Sequence, residues 1–159
     1  ADGAKPLKPS QNEDLIIAEL KESFNKLDKA VEILKYSLEK SGKIGIKTNY
    51  SLEELDVFEN LTSRFARATD IYTQKIMKGI AIILREETKT YIDKANLFEK
   101  LEIADAEDLK LMRDLRNEIS HEYKLKDITE LFHPVVEYAG RLIHVIEKTK
   151  IYVRKQKII

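Results

Sequence analysis

The stretch LKESFNKLDKAVEILKYSL, residues 20–38, places apolar side chains at Leu20, Phe24, Leu27, Val31, Leu34 and Leu38. Steps of four and three residues alternate along it and return to one face of an α-helix, so the stripe needs a partner surface. Working outward, this helix starts near Asp14 and ends near Gly42. Residues 43–50, with a second glycine at Gly45, form a polar loop. Upstream, residues 1–12 (ADGAKPLKPSQN) carry two of the three prolines and little that can be buried. They read as a flexible arm ahead of a single domain over 13–159.

Downstream, Ser51 and Glu54 have the spacing of a capping box, in which a hydroxyl and a carboxylate satisfy backbone amides at a helix start. A second helix therefore begins there and runs to about Glu87, with Leu61, Phe65, Ala68, Tyr72 and Ile76 on one stripe that Ile80, Ile83 and Leu84 extend. Gly79 inside it costs about 1 kcal/mol relative to alanine and lets a neighbour approach closely. A shorter helix follows at about 91–101, and Asp105 and Asp108 mark the start of another carrying Leu109, Met112, Leu115 and Ile119. The last helix begins after Asp127, which has capping spacing to Glu130, and continues to about Gln156. Its stripe is Leu131, Val135, Leu142, Ile146 and Val153, and Pro134 predicts a break with the main helix restarting at the proline. The elements add up to an all-α fold, an antiparallel bundle of four to five helices.

Composition narrows the function classes. The chain has 28 Lys and Arg against 28 Asp and Glu, which argues against indiscriminate coating of nucleic acid, because such binding draws on a large excess of cations. A local basic face remains open: residues 141–159 hold six basic side chains against Glu147 alone. These either steer RNA or simply suit the negative end of a helix dipole. Zero cysteines exclude disulfides, thiolate metal sites and cysteine nucleophiles. His133 and His144 lack metal-ligand spacing, and GKIG at 42–45 lacks the features of a phosphate loop, so neither a metal nor another cofactor is expected. No apolar run of about 18 residues occurs and no secretory signal pattern is present, so we expect no membrane contact and a cytoplasmic location.

Chemistry concentrates in RDLRNEISHEY, residues 113–123. Continued as a helix at about 100° per residue, Arg116 and Tyr123 stack at the margin of the apolar arc. Asn117 and His121 stack at i and i+4 on the polar side, with Asp114 and Glu118 beside them. Guanidinium, amide, imidazole and phenol together form a phosphate-handling set. In metal-free RNA cleavage a ribose 2′-hydroxyl loses a proton while attacking phosphorus, and the leaving 5′-oxygen gains one; imidazole can serve either step. A guanidinium can meet two phosphoryl oxygens at once, and Asn117 can hold the imidazole or a phosphate oxygen. One helix supplies one imidazole, so a two-fold dimer would supply both acid and base. The bland alternative is an Arg116 that merely pairs with Asp114 or Glu118 at the surface. An excess of acidic residues over residues 102–118, six against three basic, also works against an RNA site.

Arg116, Asn117, His121 and Tyr123 fit R-N-x-x-x-H-x-Y, a pattern that resembles the signature of the HEPN superfamily, most closely the HepT-type toxins and related substrate-binding partners of minimal nucleotidyltransferases. The stretch LTSRFARATDIYTQKI in the second helix is also similar to one HEPN branch. The resemblance implies a homodimeric, metal-independent endoribonuclease of a toxin–antitoxin pair. In it Arg116 stabilises phosphoryl charge, His121 transfers protons, Asn117 supports them, and Asp114 and Glu118 flank them. It further implies that a cognate nucleotidyltransferase antitoxin silences the nuclease by attaching AMP to Tyr123. The superfamily also holds inactive members, so a non-enzymatic module that presents nucleotide or substrate to a nucleotidyltransferase is the second expectation.

Overall fold

A computed structural model of the chain describes residues 9–121 and 128–159. The described residues are helical apart from their connections, with α1 (Pro9–Ile44), α2 (Leu52–Ile71), a π-helical turn (Tyr72–Ile76), α3 (Met77–Ile83), α4 (Tyr91–Lys100), α5 (Ala106–Ser120) and α6 (Ile128–Lys155). Tyr123, the expected Asp127 cap and residues 1–8 of the expected arm lie outside the described residues. Residues 9–12 of that arm belong to the first turn of α1, with Pro9 at a position where its fixed φ suits a helix start.

The stripe of residues 20–38 is buried as its spacing demands: Leu20, Phe24, Leu27, Val31 and Leu34 are in the core and Leu38 packs against it. The helix does not stop at Gly42. It runs to Ile44, and the residue that turns left-handed is Gly45, at φ 71°, a conformation that only glycine adopts without strain. The capping box forms as expected: the Glu54 amide donates to Ser51 Oγ at 3.1 Å and the Ser51 amide donates to Glu54 Oε1 at 2.9 Å. A second box, Thr90 with Asp93, starts α4. Asp105 caps α5 by accepting from the Glu107 amide at 3.0 Å.

Across from α1, the segment from Leu52 to Ile83 is one rod interrupted by the π turn, where the Met77 amide reaches back five residues to the Tyr72 carbonyl. Arg64 Nη1 donates to Ser37 Oγ at 2.6 Å, while a Cβ on Gly79 would lie 3.1 Å from Leu20 Cδ1, so α1 and this rod run antiparallel. The close approach expected at Gly79 is therefore present, with Leu20 as the neighbour. The rod ends at Ile83, earlier than Glu87, because Arg85 turns left-handed at φ 58° and the Glu86 amide bonds back to the Ala81 carbonyl.

Helix α6 lies against α1 and α2. Tyr72, fully buried, donates its phenol proton to Thr149 Oγ1 at 2.8 Å, since Thr149 already gives its own proton to the Val145 carbonyl at 2.7 Å. Burial holds the Tyr72 phenol far above its ordinary pKa, so it stays neutral. No break occurs at Pro134, which lies inside α6. The proline removes one amide donor near the helix start, while buried Leu131, Phe132 and Val135 on either side keep that turn packed. No helix among the described residues is long and apolar enough to cross a membrane.

Candidate functional site

Pairing α2 with α5 brings Arg116 opposite a carboxylate that the sequence reading did not single out. Asp70, at the end of α2, accepts from Arg116 Nε at 2.6 Å and from Nη2 at 2.7 Å, a parallel two-bond pair. The two side chains are 28% and 30% exposed, so the pair is partly shielded from water and fixes the guanidinium plane. The Asp70 bonds also push Arg116 still further above its already high pKa. A third bond runs from Nη1 to Ser120 Oγ. A guanidinium has five N–H groups, so two remain for a ligand. They lie on the end away from Asp70, and Arg116 can therefore meet a phosphate only through that outer edge. The bland alternative had Arg116 pairing with Asp114 or Glu118 of its own helix; the carboxylate that holds its Nε and Nη2 is instead Asp70, which arrives from another helix.

An open cleft of about 410 Å³ adjoins this pair. Its walls are Thr69 and Asp70 of α2, Thr73 and Gln74 of the π turn, Lys78 of α3, Tyr91 and Lys94 of α4, and Arg113, Arg116 and Asn117 of α5. The π turn contributes directly to this wall, and such turns recur at functional sites because they re-aim side chains. Arg113 stacks over the Tyr91 ring, 4.8 Å from its centroid, and the Tyr91 hydroxyl donates to the Leu109 carbonyl at 2.8 Å. Burial raises the Tyr91 phenol well above its usual range despite the opposing influence of Arg113.

Of the residues singled out in the sequence, Arg116 and Asn117 meet in the cleft. His121 does not line it. Helix α5 ends at Ser120, and His121 is its C-cap, at φ −106° and ψ 28°, with its amide bonded to the Glu118 carbonyl at 3.0 Å. The helix expected to continue through Tyr123 ends, among the described residues, at Ser120, and the backbone leaves the helix at His121. His121 is exposed at the tip, and Asp114 and Glu118 are exposed on the outer face of α5. Tyr123 lies outside the described residues. No group of three or more His, Asp or Glu among the described residues is placed to hold a metal ion.

Lys78, Tyr91, Lys94 and Asp70 were not predicted as site residues. Each comes from an element that the fold, and not the local sequence, brings to the cleft, and nothing near it in the chain announces it. Arg113 had a readable signal: with Arg116 and Asn117 it occupies i, i+3 and i+4 on one helix face. The basic C-terminal segment is less available than its count suggests, since Arg141 bonds Asp108 at 2.6 Å and Glu137 at 2.7 Å, and Lys150 pairs with Asp28. The same Arg141 contact neutralises part of the acidic stretch ahead of the motif.

Thr69 forms part of the cleft wall yet is only 1% exposed, and its hydroxyl has no hydrogen-bond partner among the described residues. Thr69→Val keeps the shape and removes the unsatisfied group, so thermal unfolding should shift up by about 2–4 °C. Calorimetry checks this; a lowered Tm would show that the hydroxyl is satisfied in solution.

Comparison with known family models, curated proteins and solved structures finds no match for this chain.

Proposed function

We propose that this protein is a HEPN-type endoribonuclease that works as a homodimer in the cytoplasm without a metal or other cofactor. The observation that carries the proposal is the guanidinium of Arg116, held rigid by Asp70 with two N–H groups to spare, sharing a cationic cleft with Asn117 just ahead of the imidazole at the helix tip. A pre-aimed cation of this kind stabilises charge that develops on a phosphoryl group without having to reorganise. In the proposed reaction the ribose 2′-oxygen attacks phosphorus and passes its proton to one imidazole. The bond from phosphorus to the 5′-oxygen breaks, and that oxygen takes a proton from the second imidazole, His121 of the other copy. The products are a 2′,3′-cyclic phosphate and a free 5′-hydroxyl.

The toxin assignment follows from the same motif. A cognate nucleotidyltransferase would transfer AMP from ATP to the Tyr123 hydroxyl, which forms a new phosphodiester bond to the α-phosphorus as pyrophosphate leaves and the phenol gives up its proton. Cleavage would so be silenced by a bulky anion two residues after His121 in the chain. Asp114 and Glu118, exposed on the outer face of α5, would flank the approach rather than hold Arg116. One observation favours a second reading, a non-enzymatic module that binds nucleotide for such a transferase: the cleft lies within a single protomer and His121 is not part of its wall.

Purified protein mixed with RNA in excess EDTA tests the two. Cleavage to 2′,3′-cyclic ends is expected, and protein produced beside the transferase should be heavier by one AMP and should not cut. RNA left intact by the unmodified protein overturns the nuclease reading and leaves the binding module.

A further inference from the structure

Three cations reach the cleft from three different elements: Lys78 from α3, Lys94 from α4 and Arg113 from α5. The carboxylate in the cleft wall, Asp70, is already engaged by Arg116. Lys78 and Lys94 have no ion-pair partner among the described residues, and Arg113 has only the Tyr91 ring. Asp93, next to Lys94 and within electrostatic reach of it, accepts from the amides of Lys89 and Thr90 through Oδ2 and does not line the cleft, and Asp114 lies close enough to influence Tyr91 without lining it. Several cations elsewhere on this surface do meet carboxylates, as in Lys47 with Glu54, Arg85 with Glu13 and Arg141 with Asp108. Converging like charges in a concavity repel one another, and a bound anion relieves that cost.

We infer that this cleft is a nucleotide-phosphate site, complete within one protomer, in which Lys78, Lys94 and Arg113 hold the phosphate. Its volume of about 410 Å³ falls in the range of about 300–1,000 Å³ typical of small-molecule sites, larger than a bare oxyanion needs. The neutral lining suits the rest of a nucleotide: Gln74 and Asn117 each offer an amide donor and acceptor for a base edge or a ribose hydroxyl. Arg113, stacked on Tyr91, is a pre-organised fork rather than a mobile point charge. The π turn sets Thr73 and Gln74 along one wall, so the concavity is part of the fold and not a chance gap between surface side chains.

The site stands independently of RNA cleavage, since His121 takes no part in it. The phosphate can belong to an RNA strand or to a free nucleotide, and the test separates the two. Binding of a short, fluorescently labelled single-stranded RNA with 2′-O-methyl riboses, which cannot be cut by 2′-oxygen attack, is followed by anisotropy at about 50 mM salt, where phosphate contacts are strong. Lys78→Gln and Lys94→Gln should each weaken binding roughly tenfold and lower the salt slope by about 0.7, the value for one phosphate contact on a single strand. Lys29→Gln, an exposed change on α1 away from the cleft, should bind like wild type. Circular dichroism of each variant checks that the bundle is intact. Displacement of the RNA by millimolar ATP or AMP assigns the site to free nucleotides, direct titration with ATP covers the case in which RNA does not bind, and RNA binding that ATP leaves untouched assigns it to an RNA strand. Failure of both RNA and ATP to bind, or affinities for Lys78→Gln and Lys94→Gln equal to that of Lys29→Gln, overturns the inference. Binding without any cleavage of ordinary RNA would sink the nuclease proposal and leave this site standing; cleavage with the variants unaffected would do the reverse.

Discussion

Phe58→Ala should lower the unfolding free energy by about 3–5 kcal/mol, the usual cost of emptying a large aromatic site in a packed core. Phe58 is completely buried. Its ring meets the edge of Tyr50 at 4.8 Å and lies over Phe132 with centroids 3.9 Å apart, so one side chain ties the start of α2 to the loop before it and to the first turns of α6. Those turns contain Pro134 and lack one backbone hydrogen bond, so they depend on packing more than the rest of α6 does. Urea denaturation measures the loss, and Leu52→Ala, at a position 81% exposed, serves as a control expected to stay within about 0.5 kcal/mol. A Phe58→Ala protein that loses under about 1 kcal/mol would mean that α6 is held at its start by something other than this aromatic cluster.

The helical stripes were legible because burial repeats with the period of the helix itself. Leu20 to Leu34, Leu61 to Ile80 and Leu131 to Val153 can be read residue by residue and end in the core. Helix ends were legible where a side chain caps them, as at Ser51 and Asp105, and misplaced where backbone conformation alone decides. Nothing local separates Gly42, which continues α1, from Gly45, which ends it, and the left-handed turn at Arg85 is equally silent in the sequence. The π turn was unreadable for a related reason. It spends one extra residue yet keeps both Tyr72 and Ile76 buried, so the apolar pattern passes through it undisturbed. In the site, Arg116 and Asn117 could be named in advance because they share one helix face. Asp70 could not, since its meeting with Arg116 across 46 positions of sequence depends on how α2 packs against α5. Helical extrapolation overran at His121, where the last turn of α5 tightens and the backbone leaves the helix.

His121→Ala should reduce RNA cleavage by about 10⁴ or more while leaving the fold unchanged. A positioned acid or base contributes about 10²–10⁴, and in a symmetric dimer one substitution removes both imidazoles at once. The fold should survive because His121 is an exposed residue at the end of α5, outside the core, and alanine keeps the local backbone bond from its amide to the Glu118 carbonyl. Asp70→Asn should behave differently. The carboxamide can accept through its oxygen, but its nitrogen faces the guanidinium with another donor, so the two-bond pair is lost and Arg116 is free to turn. Cleavage should then fall by about 10–100-fold, because Arg116 keeps its charge and loses only its aim, and stability should fall by about 1–2 kcal/mol for a pair that still sees some water. Initial rates on a labelled RNA, set beside thermal melts of both variants, distinguish the roles. An active His121→Ala protein removes the imidazole from the chemistry; an Asp70→Asn protein as fast as wild type would mean that the guanidinium is aimed by the substrate rather than by α2.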